Sequence, residues 1–243
     1  MAQPVETRAS VDAPVWGHHW KEADRVRDYL ERTDRDSERR AESFKLLVGV
    51  VPFEASRPLR ILDIGSGQGV VAAALLDHFA NASAVGLDVS QAMMDVGRER
   101  MARFGPRFRY HLGDFAGGHL PANLKGPFDV VASSRAIHHL PADLKRQLYR
   151  SIFDVVAPGG CFLNLDVVGP SDEYLKDLYR QASTFVSGQP PSAPRSEGQP
   201  SIHGHFPDPV ADHLSFLTAA GFSPVECFWQ NLGNALLAGF KRA

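Results

Sequence analysis

The amino-acid sequence predicts an α/β protein built on a doubly wound, mostly parallel β-sheet. The first observation is an apolar run from Leu59 to Ile64, which has the composition of a buried parallel strand. The second is the turn that follows it, with glycines at 65, 67 and 69 and then apolar residues at helical spacing from Val70 to Phe79. The third is size, because 243 residues with 44% hydrophobic content can bury the core of a single α/β domain.

The glycine turn predicts a ligand site, because a strand, a glycine turn and a helix N-terminus bring backbone N–H groups close to a ligand. The sequence departs from the dinucleotide pattern G-x-G-x-x-G, since Val70 stands where the last glycine should be. Asp63, two residues before the first glycine, would repel a pyrophosphate and suits a ligand with a cationic ammonium group. The run from Ile61 to Gly69 resembles the first motif of the class I S-adenosylmethionine-dependent methyltransferases, hydrophobic-Asp-x-Gly-x-Gly-x-Gly.

Later segments resemble the same family in the same order. A second short strand ends at Asp88, about twenty residues past the glycine turn, where a carboxylate reaches a nucleotide ribose. The run from Asp88 to Met94 resembles the family's Asp-x-Ser-x-x-Met-Leu segment, and further strands precede Asp114 and end at Ser133. Because ligands of open parallel sheets bind beyond the carboxyl ends of the strands, the acids there should face one crevice. Taken singly, Asp63 could be a buried structural acid, Asp88 a helix cap and Asp114 a turn residue.

The resemblance implies S-adenosylmethionine as the cofactor and S-adenosylhomocysteine as the product. It further implies that Asp88 binds the ribose hydroxyls and that Asp114 accepts from the adenine amino group, while Val89, Met93 and Phe115 line the adenine pocket. The full set of expected cofactor contacts is Asp63, Gly65, Ser66, Gly67, Gly69, Asp88, Val89, Met93, Asp114, Phe115 and Ser133.

The family's architecture is a seven-stranded sheet whose last two strands, here 224–229 and 235–240, form an antiparallel hairpin at one edge. We therefore expect one domain, with N-terminal cap helices over 1–43, a cofactor-binding core over 44–169, a helical and loop insertion over 170–209 as a substrate cap, and a C-terminal helix and hairpin over 210–243. Helices are predicted over 141–156, stopped by Pro158–Gly160, then after a cap at Ser171, and from Asp208–Pro209 to Gly221. Candidates for the substrate roof, each with core packing as an equal alternative, are Trp16, Trp20, Tyr29, Tyr174 and the Pro-rich segment 187–200.

Methyl transfer from a sulfonium needs mainly alignment of the acceptor and exclusion of water, and a general base only when the acceptor is still protonated. His138 and His139, just after the fourth strand, are the best-placed titratable groups, and His139 is expected to face the site. Capping of a turn is the alternative for either ring, and Arg135 either joins the catalytic group or pairs with an acidic substrate. His18–His19 and His203–His205 raise a metal hypothesis, but no carboxylate or cysteine completes a local motif, so no metal is predicted.

Other acceptor classes lack their signatures. The Asn/Asp-Pro-Pro-Tyr/Phe motif for planar amines is absent, because Ser133 to Ala136 occupies its position, and no Pro-Cys pair follows the fourth strand. The formal net charge of −2 argues against an extended phosphate-binding surface. A small-molecule acceptor is therefore expected. The alternatives are methylation of RNA or protein, and a protein that binds the cofactor for a non-methylation or regulatory role.

The sequence has no apolar segment of membrane-spanning length, and its start, residues 1–6, has neither a basic n-region nor an apolar h-region. We therefore expect a cytoplasmic protein, monomeric or homodimeric, without membrane or nucleic-acid partners. Cys161 and Cys227 lie in predicted strands that are not neighbours in the family's strand order, which favours reduced thiols over a disulfide.

Overall fold

The computed structural model describes residues 37–188 and 204–243 of the chain. The helices in these ranges are α1 Ser37–Gly49, α2 Val70–His78, α3 Gln91–Ala102, α4 Ala142–Val155, α5 Glu173–Ser187 and α6 Val210–Ala220. The strands are β1 Arg60–Ile64, β2 Ser83–Asp88, β3 Phe108–Leu112, β4 Phe128–Ser134, β5 Val156–Val167, β6 Val225–Asn231 and β7 Asn234–Phe240.

The strands form one seven-stranded sheet in the order β3-β2-β1-β4-β5-β7-β6. Strands β1 to β5 run parallel, whereas β7 is antiparallel to both β5 and β6. Apolar side chains of α1 to α3 pack on one face of the sheet, and those of α4 and α6 pack on the other. The predicted fold, a doubly wound sheet with a C-terminal antiparallel hairpin, is confirmed. This order places the carboxyl ends of β1, β2 and β4 side by side.

Two predictions about helix ends were wrong: that Pro158–Gly160 stops α4, and that Ser171 caps α5. Helix α4 ends at Val155 and the chain enters β5 at once, so Pro158–Gly160 lies inside the strand and does not stop the helix. The pairing of β4 with β5 is irregular there, which accommodates these residues. The cap of α5 is Asp172 and not Ser171, because the Asp172 Oδ1 accepts from the backbone N–H of Leu175 at 2.9 Å.

The start of α6 also differs from the prediction, by one residue. Pro209 is the N-cap and not the first helical residue, and Gly221 ends the helix in the left-handed conformation as expected. The carboxylate of Asp208 is bound instead by the ammonium of Lys145, at 2.5 Å. Lys145 is fully buried and also donates to the carbonyl of Phe206, so α4 anchors the segment that leads into α6.

Several predicted features lie wholly or partly outside the described residues. These are Trp16, Trp20, Tyr29, His18, His19, His203 and most of the segment 187–200. Of the roof candidates, Tyr174 is described and is 72% exposed, so it does not roof a crevice formed by the described residues. Both cysteines are free thiols, and β7 lies between their strands, as expected. No helix in the described ranges has the length and apolarity to cross a membrane.

Candidate active site

The turn after β1 depends on glycine for its shape. Gly65, Gly67 and Gly69 all have positive φ, at 66°, 52° and 77°, a region that side-chain-bearing residues rarely adopt. A Cβ on Gly65 would lie 2.3 Å from the Cβ of Ala136, just beyond β4. The turn therefore packs directly against the chain that leaves β4, and its bare backbone is open to a ligand only because these positions are glycine.

Asp63 is the buried acid behind this turn. Its side chain is 1% exposed, and its Oδ2 accepts from the backbone N–H of Ala72, in the first turn of α2, at 3.0 Å. Its Oδ1 is buried and has no hydrogen-bond partner among the described residues. Burial, with a further contribution from the charge of Asp88, raises the pKa of Asp63 to about 8. A cationic ligand group would satisfy both the charge and the unpaired oxygen.

Asp88, at the end of β2, holds the glycine turn in place. Its Oδ2 accepts from the backbone N–H of Gly67 at 2.7 Å, and its Oδ1 accepts from that of Ser90 at 2.8 Å. The cap of α3 is Ser90, whose hydroxyl accepts from the N–H of Met93, so the helix-cap alternative for Asp88 is wrong. Burial raises the pKa of Asp88 as well. The backbone N–H of Val89 also interacts with this carboxylate, and of its roughly four acceptor positions at least one remains for a ribose hydroxyl.

Two of the three apolar residues expected around the adenine ring, Met93 and Phe115, lie against the glycine turn. The Met93 methyl group would be 3.0 Å from a Cβ on Gly67, and the Phe115 ring 3.8 Å from one on Gly65. Val89 is half-buried at the end of β2, next to Asp88. Met93 and Phe115 are therefore placed where they could contact a ligand at the turn, and an adenine pocket formed with Val89 stays a prediction.

The three other polar residues of the expected cofactor set differ in their hydrogen bonds. Asp114 is exposed, and its Oδ1 accepts from the N–H of Ala116, so it has the turn role that was the alternative, with its other oxygen open. Ser66 is 8% exposed and its hydroxyl has no partner among the described residues. Ser133 is fully buried and donates across the sheet to the carbonyl of Ile64 at 2.9 Å. The Ser133 side chain thus joins β4 to β1, and a contact between Ser133 and the cofactor stays a prediction.

The described residues fit the cofactor that the sequence resemblance implies. The buried, unpaired oxygen of Asp63 matches an ammonium group, and the Gly65 turn leaves room that a Cβ would fill. Asp88 matches a ribose diol, and the apolar side chains match a purine.

The two histidines after β4 occupy different environments. Both the backbone N–H and Nδ1 of His138 contact Asp166, at 2.9 Å and 2.6 Å, and His138 is buried. Burial acts to raise the pKa of Asp166, but the adjacent His138 ring outweighs this effect and lowers the pKa to about 2. His139 is half-buried, and its Nδ1 lies 2.6 Å from the carbonyl oxygen of Gly204. Because a carbonyl only accepts, Nδ1 of His139 carries the proton and Nε2 is the acceptor of the neutral ring.

A cleft of about 720 Å³ opens beyond the ends of β4 and β5. Arg135 lines it in a left-handed backbone conformation, with φ of 53°, which costs about 1–2 kcal/mol for a residue other than glycine. Asp166 also lines the cleft, and the sequence analysis did not include it in the site. The rule that found Asp63 and Asp88, an acid at the end of a parallel strand, also applies to Asp166 and would have identified it.

The described residues give no support to a metal site at the histidines of segment 203–205. The ring of His205 lies 5.1 Å from that of His138, centroid to centroid. Within 37–188 and 204–243, no three histidine, cysteine or acidic side chains converge in a way that could hold a metal ion. His203 lies outside these ranges.

Residues 61–160 match a family model described as a methyltransferase domain. Among curated proteins, the chain is 29% identical over 177 residues to the trans-aconitate 2-methyltransferase of Methylobacterium nodulans, covering 72% of this chain and 61% of that one. It is 28% identical over 162 residues to the malonyl-[acyl-carrier protein] O-methyltransferase of Legionella pneumophila, covering 64% of this chain and 52% of that one. The chain thus spans only 61% and 52% of the length of these two relatives.

Solved structures show the same fold at low sequence identity. An O-methyltransferase family protein from Burkholderia thailandensis has a TM-score of 0.69 at 17% identity, covering 95% of this chain and 64% of that one. Human N-acetylserotonin methyltransferase, solved in complex with S-adenosylmethionine, has a TM-score of 0.63 at 14% identity, covering 93% of this chain and 58% of that one. The domain match includes the glycine turn and β4, and the sheet order agrees with the fold implied by the resemblance to the class I S-adenosylmethionine-dependent methyltransferases.

Proposed function

We propose that the protein transfers a methyl group from S-adenosylmethionine to a small-molecule acceptor. The observation that carries the proposal is Asp63, a fully buried carboxyl group with one unpaired oxygen directly behind a glycine turn. Burying such a group is costly unless a ligand pairs with it, and an ammonium group is the matching partner. The named substrates of the two curated relatives, trans-aconitate and a malonyl group on a carrier protein, support a small acceptor group.

The residues that would hold the cofactor divide by chemistry. Asp63 would bind the ammonium group, Asp88 the ribose hydroxyls, and Val89, Met93 and Phe115 the adenine ring. When bound, S-adenosylmethionine supplies a methyl group on a sulfonium, which is electrophilic without further activation. The chain therefore has to hold the acceptor in line and exclude water from the crevice.

We propose that His139 contacts the methyl acceptor. The contact with Gly204 fixes the ring and leaves Nε2 as the acceptor of the neutral tautomer, which is the form that a general base requires. For a deprotonated acceptor, the same ring would only position the substrate. Asp166 supports this arrangement, because its two contacts with His138 fix the turn that presents His139.

The test is the release of S-adenosylhomocysteine when the protein is mixed with S-adenosylmethionine and a panel of acceptors. The panel contains carboxylic acids, phenols, amines, thiols, RNA and protein, and Asp88→Ala serves as the variant with weakened cofactor binding. We expect stoichiometric S-adenosylhomocysteine and methylated product with a small molecule. Release with RNA or protein alone would establish the first alternative. Cofactor binding by calorimetry without release for any acceptor would establish a binding or regulatory role. A cytoplasmic location and a monomeric or homodimeric state stay predictions.

A further inference from the structure

The cleft beyond β4 lies immediately next to the cofactor turn. Ala136 packs against Gly65, and the two residues before it, Ser134 and Arg135, line the cleft. Within three residues, the chain thus passes from the proposed methyl-donor site to a cleft of about 720 Å³. That volume suits a small organic molecule.

The charges that line the cleft leave one guanidinium without an acidic partner. Asp166 is bound to His138, Arg180 is paired with Asp177 at 2.7 Å, and Glu42, the other carboxylate on the wall, is exposed. Arg135 is half-buried, and its guanidinium donates to the neutral Oδ1 of Asn234 at 3.4 Å. Among the described residues, no carboxylate lies within ion-pair distance of Arg135. A half-buried cation in this state provides a site for an anionic ligand.

A second donor faces the same cleft beside Arg135. The hydroxyl oxygen of Ser134 is buried and has no hydrogen-bond partner among the described residues. Buried hydroxyl groups are usually hydrogen-bonded, so an unpaired hydroxyl at this position indicates that a ligand supplies the acceptor. Much of the remaining wall is apolar, including Leu165, Val167 and Trp229. The cleft therefore combines two adjacent donors with a hydrocarbon surface.

We infer that Arg135 and Ser134 bind a carboxylate of the acceptor, which makes the substrate a small organic acid. The inference rests on the proposed function and names the substrate class of that same site. The planar guanidinium matches a carboxylate in geometry, and the apolar wall matches a carbon skeleton. Because guanidinium contacts draw electron density from the oxygens they bind, the anchored carboxylate is not the nucleophile. The acid therefore carries a second group that accepts the methyl.

The test is calorimetric binding to protein saturated with S-adenosylhomocysteine, which measures recognition without turnover. The probes are trans-aconitate, malonate, benzoate, the uncharged trimethyl ester of trans-aconitate, and inorganic phosphate. The variants are Arg135→Met, Arg135→Lys and Arg180→Met. The last removes the same charge from the same cleft, but from an arginine that already has an acidic partner.

We expect at least one carboxylate to bind the wild-type protein and to bind Arg135→Met about 10- to 100-fold more weakly, the range for a hydrogen bond to a charged group. Arg135→Lys should recover part of the loss, and Arg180→Met should change affinity less than about twofold. The ester should bind weakly, and its affinity should be the same for the wild-type protein and for Arg135→Met. An unchanged melting temperature and S-adenosylhomocysteine affinity in Arg135→Met would show that the variant is folded.

Three results would overturn the inference: equal binding of a carboxylate to Arg135→Met, binding of none of the three carboxylates, or a preference for phosphate. These results are separable from failure of the proposed function. Methyl transfer to an uncharged acceptor, unaffected by Arg135→Met, would keep the function and reject the carboxylate site. Arg135-dependent carboxylate binding without release of S-adenosylhomocysteine for any acceptor would keep the site and reject methyl transfer.

Discussion

Binding of S-adenosylhomocysteine should release a proton from Asp63 near neutral pH. In the ligand-free protein, the pKa of this carboxyl group is about 8, because burial removes it from water and Asp88 lies nearby. It is therefore mostly protonated at pH 7. The ammonium group of the ligand would pair with the ionised carboxylate and lower this pKa. The substitution Asp63→Asn removes the titrating proton while keeping the size and a polar oxygen.

The size of the effect follows from the pKa. A carboxyl group with a pKa of about 8 is about 90% protonated at pH 7, so binding should release about 0.9 proton. Below pH 8 the affinity should therefore increase about tenfold with each unit by which the pH is raised, and this dependence should be lost in Asp63→Asn. The same pKa makes the ligand-free fold most stable when Asp63 is protonated. Stability is fully present below the unfolded pKa of about 4 and is lost as the pH rises through about 8.

The assay is calorimetry at pH 7 in buffers with different ionisation enthalpies, which yields the number of protons released. Asp95→Asn is the matched control, because Asp95 is exposed on the outer face of α3 and lies outside the site. Wild-type protein that binds the ligand without proton release, with an affinity that is flat from pH 6 to 7.5, would refute the placement of the ammonium group at Asp63. Release that persists in Asp63→Asn would assign the proton to another group.

Four further outcomes follow from the geometry. Asp88→Ala should weaken S-adenosylhomocysteine binding by about 1.5–3 kcal/mol in calorimetry, and unchanged affinity would exclude the ribose contact. Gly65→Ala should abolish that binding through its 2.3 Å overlap, whereas Gly117→Ala, with nothing within 4 Å, should bind normally. Lys145→Met should lower the free energy of unfolding in urea by about 3 kcal/mol, and a change below about 1 kcal/mol would show that the buried ion pair is unimportant. His139→Ala should reduce turnover less than about tenfold and independently of pH if the accepting group is a second carboxylate. A loss of about 10²–10⁴-fold, with a rate that rises through the imidazole pKa, would instead establish base catalysis on a protonated acceptor.

The fold could be predicted because its signals are local. The apolar run of β1, the glycine turn and the periodic start of α2 each fix a conformation from neighbouring residues, and their order along the chain fixes the topology. Boundaries were less certain where two local preferences compete. At Pro158–Gly160 the residues have the composition of a helix stop, but pairing between β4 and β5 extends the strand through them.

The acidic residues of the candidate site could be predicted from the sequence, but the directions in which the Ser133 and Ser134 side chains point could not. Motif spacing places Ser133 and Ser134 together at the end of β4, whereas the two side chains of adjacent strand residues point to opposite faces of the sheet. Ser133 turns to the carbonyl of Ile64, and Ser134 turns to the cleft. Which serine faces a ligand depends on the register of β4 against β1, a relation between residues 69 positions apart.

Arg135 shows why the proposed acceptor cleft could not be derived from the sequence, although the sequence analysis named this residue as a candidate partner of an acidic substrate. Its left-handed backbone turns the chain out of β4, while its N–H donates to the carbonyl of Leu165 and the next residue packs against Gly65. Glycine would adopt this conformation without strain, so an arginine here costs free energy that the backbone does not require. Strained residues of this kind persist where the side chain has a role. The proposed carboxylate contact of the guanidinium would supply that role, and the same turn that strains Arg135 brings the proposed acceptor site within two residues of the proposed cofactor turn.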